Sequence, residues 1–127
     1  MAHPVHFISS LAELEALFSS TTYVAVDFFA EWCPPCKAIA PVFEQLAAKH
    51  AQPQHLAFAK VNVDKMDKLP DTCRVTALPT FLFFKDGKQV AVNGQAMIQG
   101  ADPRALGAAV EKLSGLAATR AGETASA

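Results

Sequence analysis

The feature that most constrains this chain is a pair of cysteines, Cys33 and Cys36, which follow a continuous apolar segment, Tyr23–Ala30. Apolarity without alternation predicts a β-strand that is covered on both faces. After the cysteines, apolar residues recur at helical spacing to about His50. The sequence therefore predicts a buried strand followed by a helix, with the cysteine pair at the junction between them.

The rest of the chain continues this alternation of strands and helices. Further strands are predicted at Val5–Ile8, Leu56–Val63, Pro79–Lys85 and Lys88–Val92, and further helices after Ser10, within Asp67–Cys73 and from Pro103. Strands separated by helices pair in parallel, and the Asp86-Gly87 dipeptide adds an antiparallel hairpin. We therefore expect an α/β fold with a mixed central sheet of about five strands and about four flanking helices.

The chain of 127 residues is long enough for one domain, and its 51% hydrophobic residues can form a packed core. We predict that this domain spans residues 1–115. From Leu116 onward Ala, Thr, Gly, Glu and Ser dominate, so residues 116–127 are predicted to form a flexible C-terminal tail.

The charge balance excludes several classes of partner. A net charge of −1 with no basic stripe argues against nucleic acid and anionic membranes as partners. No apolar run is long enough to cross a bilayer, and the first ten residues lack the pattern of a secretory signal. Three cysteines are too few for a disulfide scaffold. We expect a cytoplasmic protein, or one from another reducing compartment.

The spacing of Cys33 and Cys36 suits reversible disulfide chemistry. On one helical turn, residues three apart have Cβ atoms roughly 5–6 Å apart, which is close to the span a disulfide tolerates. Cys33 is expected at the N-cap, where the positive helix end stabilises a thiolate. Pro34 and Pro35 remove two backbone donors, which leaves the Cys36 N–H to bond the Cys33 sulfur. Cys33 is therefore predicted to be the nucleophile, and Cys36 the resolving thiol deeper along the helix.

Other chemistries use the same cysteine spacing. One such pair supplies half of a tetrahedral zinc site, but no second pair exists and the four histidines show no ligand spacing. An inert structural disulfide and an iron–sulfur cluster shared across a dimer through Cys33 are further alternatives. We expect no bound metal.

Several segments together resemble the thioredoxin family. Val26–Lys37, followed by Ala40-Pro41, is similar to the active-site strand and helix of that family, and Ala59–Asp64 to its next strand. Leu78–Gly87 resembles its cis-proline segment and hairpin. The resemblance extends from about Ser10 to Leu113, and the ordered set of motifs is highly specific. It implies the thioredoxin fold and a protein-disulfide reductase.

The resemblance also implies how such an enzyme is supplied with electrons. No cofactor is bound; the Cys33–Cys36 pair is itself the redox-active disulfide. Electrons come from NADPH through a separate thioredoxin reductase, or from the glutathione system. The expected partners are this reductase and protein disulfide substrates, and the chain is expected to be a monomer.

Asp27 is the one acid in the apolar strand. A buried carboxyl has a raised pKa and can exchange protons near neutral pH, whereas an Asp at a strand end can simply be solvated. The resemblance implies that Asp27 accepts the Cys36 proton, through water, and that Lys60 on a neighbouring strand modulates Asp27. The alternative for Lys60 is that it points to solvent.

The resemblance further implies a substrate site around Cys33. Its predicted residues are Trp32, Pro34, Leu78, Pro79, Thr80 and Gly100. A cis Pro79 would expose the Leu78 backbone for pairing with an extended substrate segment. Trp32 would be an exposed platform within an apolar patch. The alternatives are an ordinary strand-starting proline and a core tryptophan.

The chain departs from the common family motif at Pro34, where glycine is usual. Its Cys-Pro-Pro-Cys motif resembles tryparedoxin and nucleoredoxin, although the chain is too short for their insertions. We expect a shifted reduction potential, which a titration against glutathione would detect. Two alternatives therefore stay open: an oxidase or isomerase, and a non-catalytic redox-sensitive binding module. Cys73 is either a small buried hydrophobic residue or a regulatory thiol.

Overall fold

The computed structural model describes residues 4–66 and 76–125 of the chain. In chain order its elements are β1 (Val5–Ile8), α1 (Leu11–Ser20), β2 (Tyr23–Phe29), α2 (Pro34–His50), β3 (Leu56–Asn62), β4 (Thr80–Lys85), β5 (Lys88–Val90), β6 (Met97–Gln99) and α3 (Pro103–Ala125). The predicted α/β architecture is confirmed. The short helix predicted within Asp67–Cys73 falls outside the described residues, which contain three helices.

The six strands form one mixed sheet. Its order is β1-β3-β2-β4-β5, and β6 also pairs with β4. β1 and β2 run parallel to β3, whereas β4 is antiparallel to β2, β5 and β6. Asp86 and Gly87 have φ values of 52° and 80°, the backbone that a tight hairpin between β4 and β5 requires. β6 was not predicted, since three residues are too few to show a period.

Two hydrophobic clusters cover the two faces of the sheet. Phe43 of α2 and Leu106 of α3 pack against one face, with Ala25 of β2 in the same cluster. Leu14 of α1 packs on the opposite face, which carries Val26 of β2. Side chains alternate along a strand, so Asp27 and Phe29 of β2 project to the face that α2 and α3 cover. This arrangement explains why every residue of β2 except Asp27 is apolar.

Polar caps begin each of the three helices. The Ser10 hydroxyl accepts a hydrogen bond from the Glu13 N–H at 3.2 Å, and the Asp102 carboxylate accepts one from the Ala105 N–H at 3.1 Å. Cys33 caps α2 in the same way, as predicted. In each case the cap satisfies a backbone donor that has no partner inside the helix.

The last helix continues through the segment that was predicted to be a flexible tail. α3 extends to Ala125, and Ala117 is fully buried in the cluster that α2 and α3 share. The prediction of a domain that ends at residue 115 is therefore corrected. Alanine has the highest helix propensity, so a segment rich in alanine continues the helix despite its small residues. No helix within the described ranges is long and apolar enough to cross a membrane.

The burial of Ala117 predicts a large cost for a charge at this position. We expect Ala117→Asp to lower the free energy of unfolding by about 3 kcal/mol, because a carboxylate there would lose its hydration without gaining a partner. Ala118→Asp, at the exposed position that follows, should lower it by less than about 1 kcal/mol, since only helix propensity is lost there. Denaturation in urea would measure both values, and equal effects would contradict the assignment of this segment to the core.

Candidate active site

The two cysteines lie where β2 ends and α2 begins, and a disulfide bond joins them. Their Cα atoms are 5.3 Å apart, which is within the ordinary range for a disulfide. The Cys36 N–H donates a hydrogen bond to the Cys33 sulfur at 3.2 Å. The pairing, the N-cap position of Cys33 and the single backbone donor all agree with the sequence analysis.

The cysteines differ in the surface that each one reaches. Both cysteines are buried, with exposed fractions of 3% and 4%, and Cys36 lies further along α2 than the N-cap residue Cys33, as predicted. Cys33 lines a groove of about 450 Å³ together with Trp32 and Leu78. Cys36 lines a separate cleft of about 230 Å³ that also contains Lys60. The two sulfurs therefore face different environments, although a single bond joins them.

The groove beside Cys33 is formed by three separate segments of the chain. Its lining residues are Trp32, Cys33, Pro34, Pro35, Val63, Thr76, Ala77 and Leu78. Trp32 is 68% exposed, which excludes the alternative of a core tryptophan. Leu78 packs against the cluster that contains both cysteines, and the Leu78–Pro79 peptide bond is cis. The structure thus brings Trp32, Pro34 and Leu78 together around Cys33.

Three other predicted substrate residues lie elsewhere. Pro79 and Thr80 are buried, and neither they nor Gly100 line the groove. The Thr80 hydroxyl donates a hydrogen bond to the Ala77 carbonyl at 2.6 Å, and the Gly100 N–H donates one to the Pro79 carbonyl at 2.8 Å. These bonds hold the segment that presents Leu78. Gly100 has a φ of 91°, a backbone conformation that favours glycine.

Asp64 is a residue at the site that the sequence analysis did not identify as functional. Its carboxylate accepts a hydrogen bond of 2.7 Å from the Trp32 indole, and its own N–H donates to the Asn62 side chain at 3.0 Å. The signal in the sequence that could have identified Asp64 is its position directly after a predicted strand. The carboxyl ends of parallel strands meet at one edge of the sheet, and ligands bind beside that edge. Beside it, Lys65 and Glu31 form an ion pair of 3.2 Å that is largely exposed.

Asp27 is buried beneath the site. It is 1% exposed, so the alternative of a solvated acid at a strand end is wrong. Neither of its carboxyl oxygens has a hydrogen-bond partner among the described residues. Burial raises the pKa of Asp27 to about 7, and the positive charge of Lys60 opposes that rise. The carboxyl can therefore gain or lose a proton close to neutral pH.

Lys60 lies beside Asp27 in the sheet. The two residues are register partners across β2 and β3. Lys60 is 8% exposed, so the alternative that it points to solvent is wrong. Its ammonium group is 4.7 Å from the centre of the Phe29 ring, a distance typical of a cation–π contact. Because Lys60 also lines the cleft that Cys36 reaches, it connects the surroundings of Asp27 and Cys36.

Comparisons with known proteins agree on one family. The thioredoxin family model matches residues 8–112. A thioredoxin-like protein of Fusarium culmorum is 68% identical over 116 residues, which are 91% of this chain and 96% of that protein. A thioredoxin of Neurospora crassa is 53% identical over 121 residues, or 95% of each chain.

A solved structure of Plasmodium falciparum thioredoxin superimposes with a TM-score of 0.74 at 36% identity, over 84% of this chain and 97% of that one. The sheet order, the disulfide at the start of α2 and these similarities point the same way. The chain therefore belongs to the thioredoxin family, and with its redox-active Cys33–Cys36 pair it is a protein-disulfide oxidoreductase of the thioredoxin type.

Proposed function

We propose that this protein reduces the disulfides of other proteins, with Cys33 as the nucleophile and Cys36 as the resolving thiol. The observation that supports this assignment most is the position of Cys33 in the larger groove, which Cys36 does not line. A substrate disulfide can approach Cys33 along that groove. Cys33 is also the N-cap of α2, where a thiolate accepts the Cys36 N–H and interacts with the positive helix end.

The proposed cycle transfers two electrons through one covalent intermediate. The Cys33 thiolate attacks one sulfur of the substrate disulfide, and the other sulfur leaves as a thiolate. Cys36 then loses its proton and attacks the Cys33 sulfur. This step breaks the mixed disulfide, releases the second substrate thiolate and forms the Cys33–Cys36 disulfide. The substrate has gained two electrons, and the pair has lost them.

Asp27 is the proposed acceptor of the Cys36 proton, through water, and Lys60 modulates it. The support is that Lys60 is the register partner of Asp27 and lines the same cleft as Cys36. A group with a pKa of about 7 can take up the proton at neutral pH and release it again. The pair of side chains therefore suits the step in which Cys36 becomes a thiolate.

The groove suits a flexible or extended protein segment. Trp32 offers an exposed aromatic surface on one side, and its indole is held by Asp64. Leu78 lies on the other side, where its backbone can pair with a substrate strand. We include Pro34, Pro79, Thr80 and Gly100 in the proposed substrate site, the last three as residues that hold the Leu78 segment in place.

The proposed electron donor is NADPH, acting through a separate thioredoxin reductase, with the glutathione system as the alternative. We propose that the protein acts as a cytoplasmic monomer. A second candidate function is a redox-sensitive binding module, which the exposed Trp32 at an apolar groove favours. The two differ in one respect, since a binding module has no turnover.

Consumption of NADPH with thioredoxin reductase and insulin tests the proposal directly. We expect wild-type turnover, and we expect Pro34→Gly to turn over at a rate within about threefold of it. The reason is that Pro34 is the first helical residue, whose N–H would not cap Cys33, whereas the Cys36 donor is unchanged.

Two outcomes of this assay would change the proposal. If the wild type fails and Pro34→Gly restores turnover, Pro34 directs the protein to another donor or towards oxidation. If neither turns over with the reductase or with glutathione, while binding of unfolded protein depends on the redox state, the binding module is correct. A glutathione titration of both variants would measure the shift in reduction potential.

A further inference from the structure

A row of three side chains crosses the sheet from its edge to Asp27. Phe7 of β1 is the register partner of Lys60 of β3, which is in turn the partner of Asp27 of β2. Register partners on adjacent strands project to the same face, so all three lie on the side that α2 covers. Val5, two residues before Phe7, packs in the cluster on that face. The row ends at the proposed proton acceptor.

Two aromatic rings surround the Lys60 ammonium group. It lies 4.7 Å from the centre of the Phe29 ring and 5.9 Å from the centre of the Phe7 ring. Both distances are within the range of about 6 Å in which a ring attracts a cation. Phe7 is 60% exposed, whereas Lys60 is only 8% exposed. The Phe7 ring therefore covers the ammonium group from the edge of the sheet.

Other charges near Lys60 could draw its ammonium group away from Asp27. Glu31 and Glu44 line the cleft of about 390 Å³ that Phe7 and Lys60 share, and Lys65 lies there too. Lys37 lines the adjoining cleft that Cys36 reaches. Lys60 nevertheless forms no ion pair within 4.0 Å with the described residues, whereas Lys65 pairs with Glu31 at 3.2 Å. Within the described residues, the groups in close contact with this cation are thus aromatic rings and not carboxylates.

We propose that Phe7 is a positioning residue for the proton step: its ring keeps the Lys60 ammonium group beside Phe29 and within Coulombic reach of Asp27. The expected effect of Phe7 on turnover rests on the proposed role of Asp27 as proton acceptor. The expected effect of Phe7 on the titration of Asp27 does not depend on that role. The Lys60 charge favours the ionised carboxyl. An ammonium group that moves into solvent, or towards Glu31 or Glu44, favours it less, because distance and water weaken the interaction.

The test is a titration of the Asp27 carboxyl carbon by NMR in the oxidised protein. We expect Phe7→Leu to raise the midpoint by roughly 0.5 pH unit, since Asp27 is still covered but loses part of the Lys60 charge. Leucine retains an apolar side chain and removes the ring. His6→Ala is the matched control, because His6 is exposed on the same strand and projects to the other face. It should move the midpoint by less than about 0.1 pH unit.

A double variant shows whether Phe7 acts through Lys60. Lys60→Met should raise the midpoint further than Phe7→Leu does, and adding Phe7→Leu to Lys60→Met should produce no further shift. An unchanged midpoint in Phe7→Leu, or a shift that persists without Lys60, would overturn the proposal. The pH profile of insulin reduction separates this result from the proposed function. If Asp27→Asn leaves that profile unchanged, the acceptor role of Asp27 fails, while the NMR midpoints still decide the role of Phe7.

Discussion

Replacing Cys33 with serine is expected to lower the turnover of insulin reduction by about a thousandfold or more. A serine hydroxyl does not ionise near neutral pH and cannot form a mixed disulfide, so the first step of the cycle is lost. The groove, Trp32 and Leu78 stay in place, so the variant should still bind unfolded protein weakly. The NADPH-linked insulin assay measures the loss, and thermal unfolding followed by circular dichroism checks that the variant is folded.

Cys36→Ser is the variant that distinguishes the two thiols. It should also lack turnover, but it should accumulate a covalent mixed disulfide through Cys33, which mass spectrometry detects. Cys73→Ser is the control, since it removes a thiol that is not part of the Cys33–Cys36 pair, and it should leave turnover within about twofold of wild type. The assignment of roles would be reversed if Cys33→Ser accumulated the mixed disulfide and Cys36→Ser did not.

The second large effect concerns stability and its dependence on pH. Asp27→Asn is expected to raise the free energy of unfolding by about 4 kcal/mol at pH 8. In the folded protein, burial raises the pKa of Asp27 to about 7 from its ordinary value of 3.8. The folded state therefore binds this proton more tightly than the unfolded state does. As far as Asp27 contributes to it, the free energy of unfolding of the wild type is greatest below pH 3.8 and declines as the pH rises towards 7. Above pH 7 the contribution of Asp27 is constant.

Guanidinium denaturation of the oxidised protein at pH 4 and pH 8 tests this prediction. Asp27→Asn and the wild type should have similar stability at pH 4, and the difference should appear at pH 8. Asp102→Asn is the matched control, because Asp102 is exposed and asparagine caps a helix as well as aspartate does. A difference of equal size at both pH values would show that the ionisation of Asp27 is not its cause.

Local features allowed much of this molecule to be predicted. The apolar strand, the cysteine spacing and the capping residues Ser10, Cys33 and Asp102 act over a few residues, so they are visible in the sequence. The fold class and the family followed from the order of such features. The errors were also local in origin: β6 is too short to show a pattern, and the alanine-rich end of α3 resembles a tail in composition.

The sequence by itself determined which residues are candidates for the chemistry, because a thiol pair with this spacing and an acid inside an apolar strand are properties of single segments. Only the tertiary structure decided how those residues are arranged. The separate clefts of Cys33 and Cys36, the indole of Trp32 held by Asp64, and the row from Phe7 through Lys60 join segments far apart in the chain. Such contacts depend on strand register and on helix packing, and both are established only when the whole sheet forms.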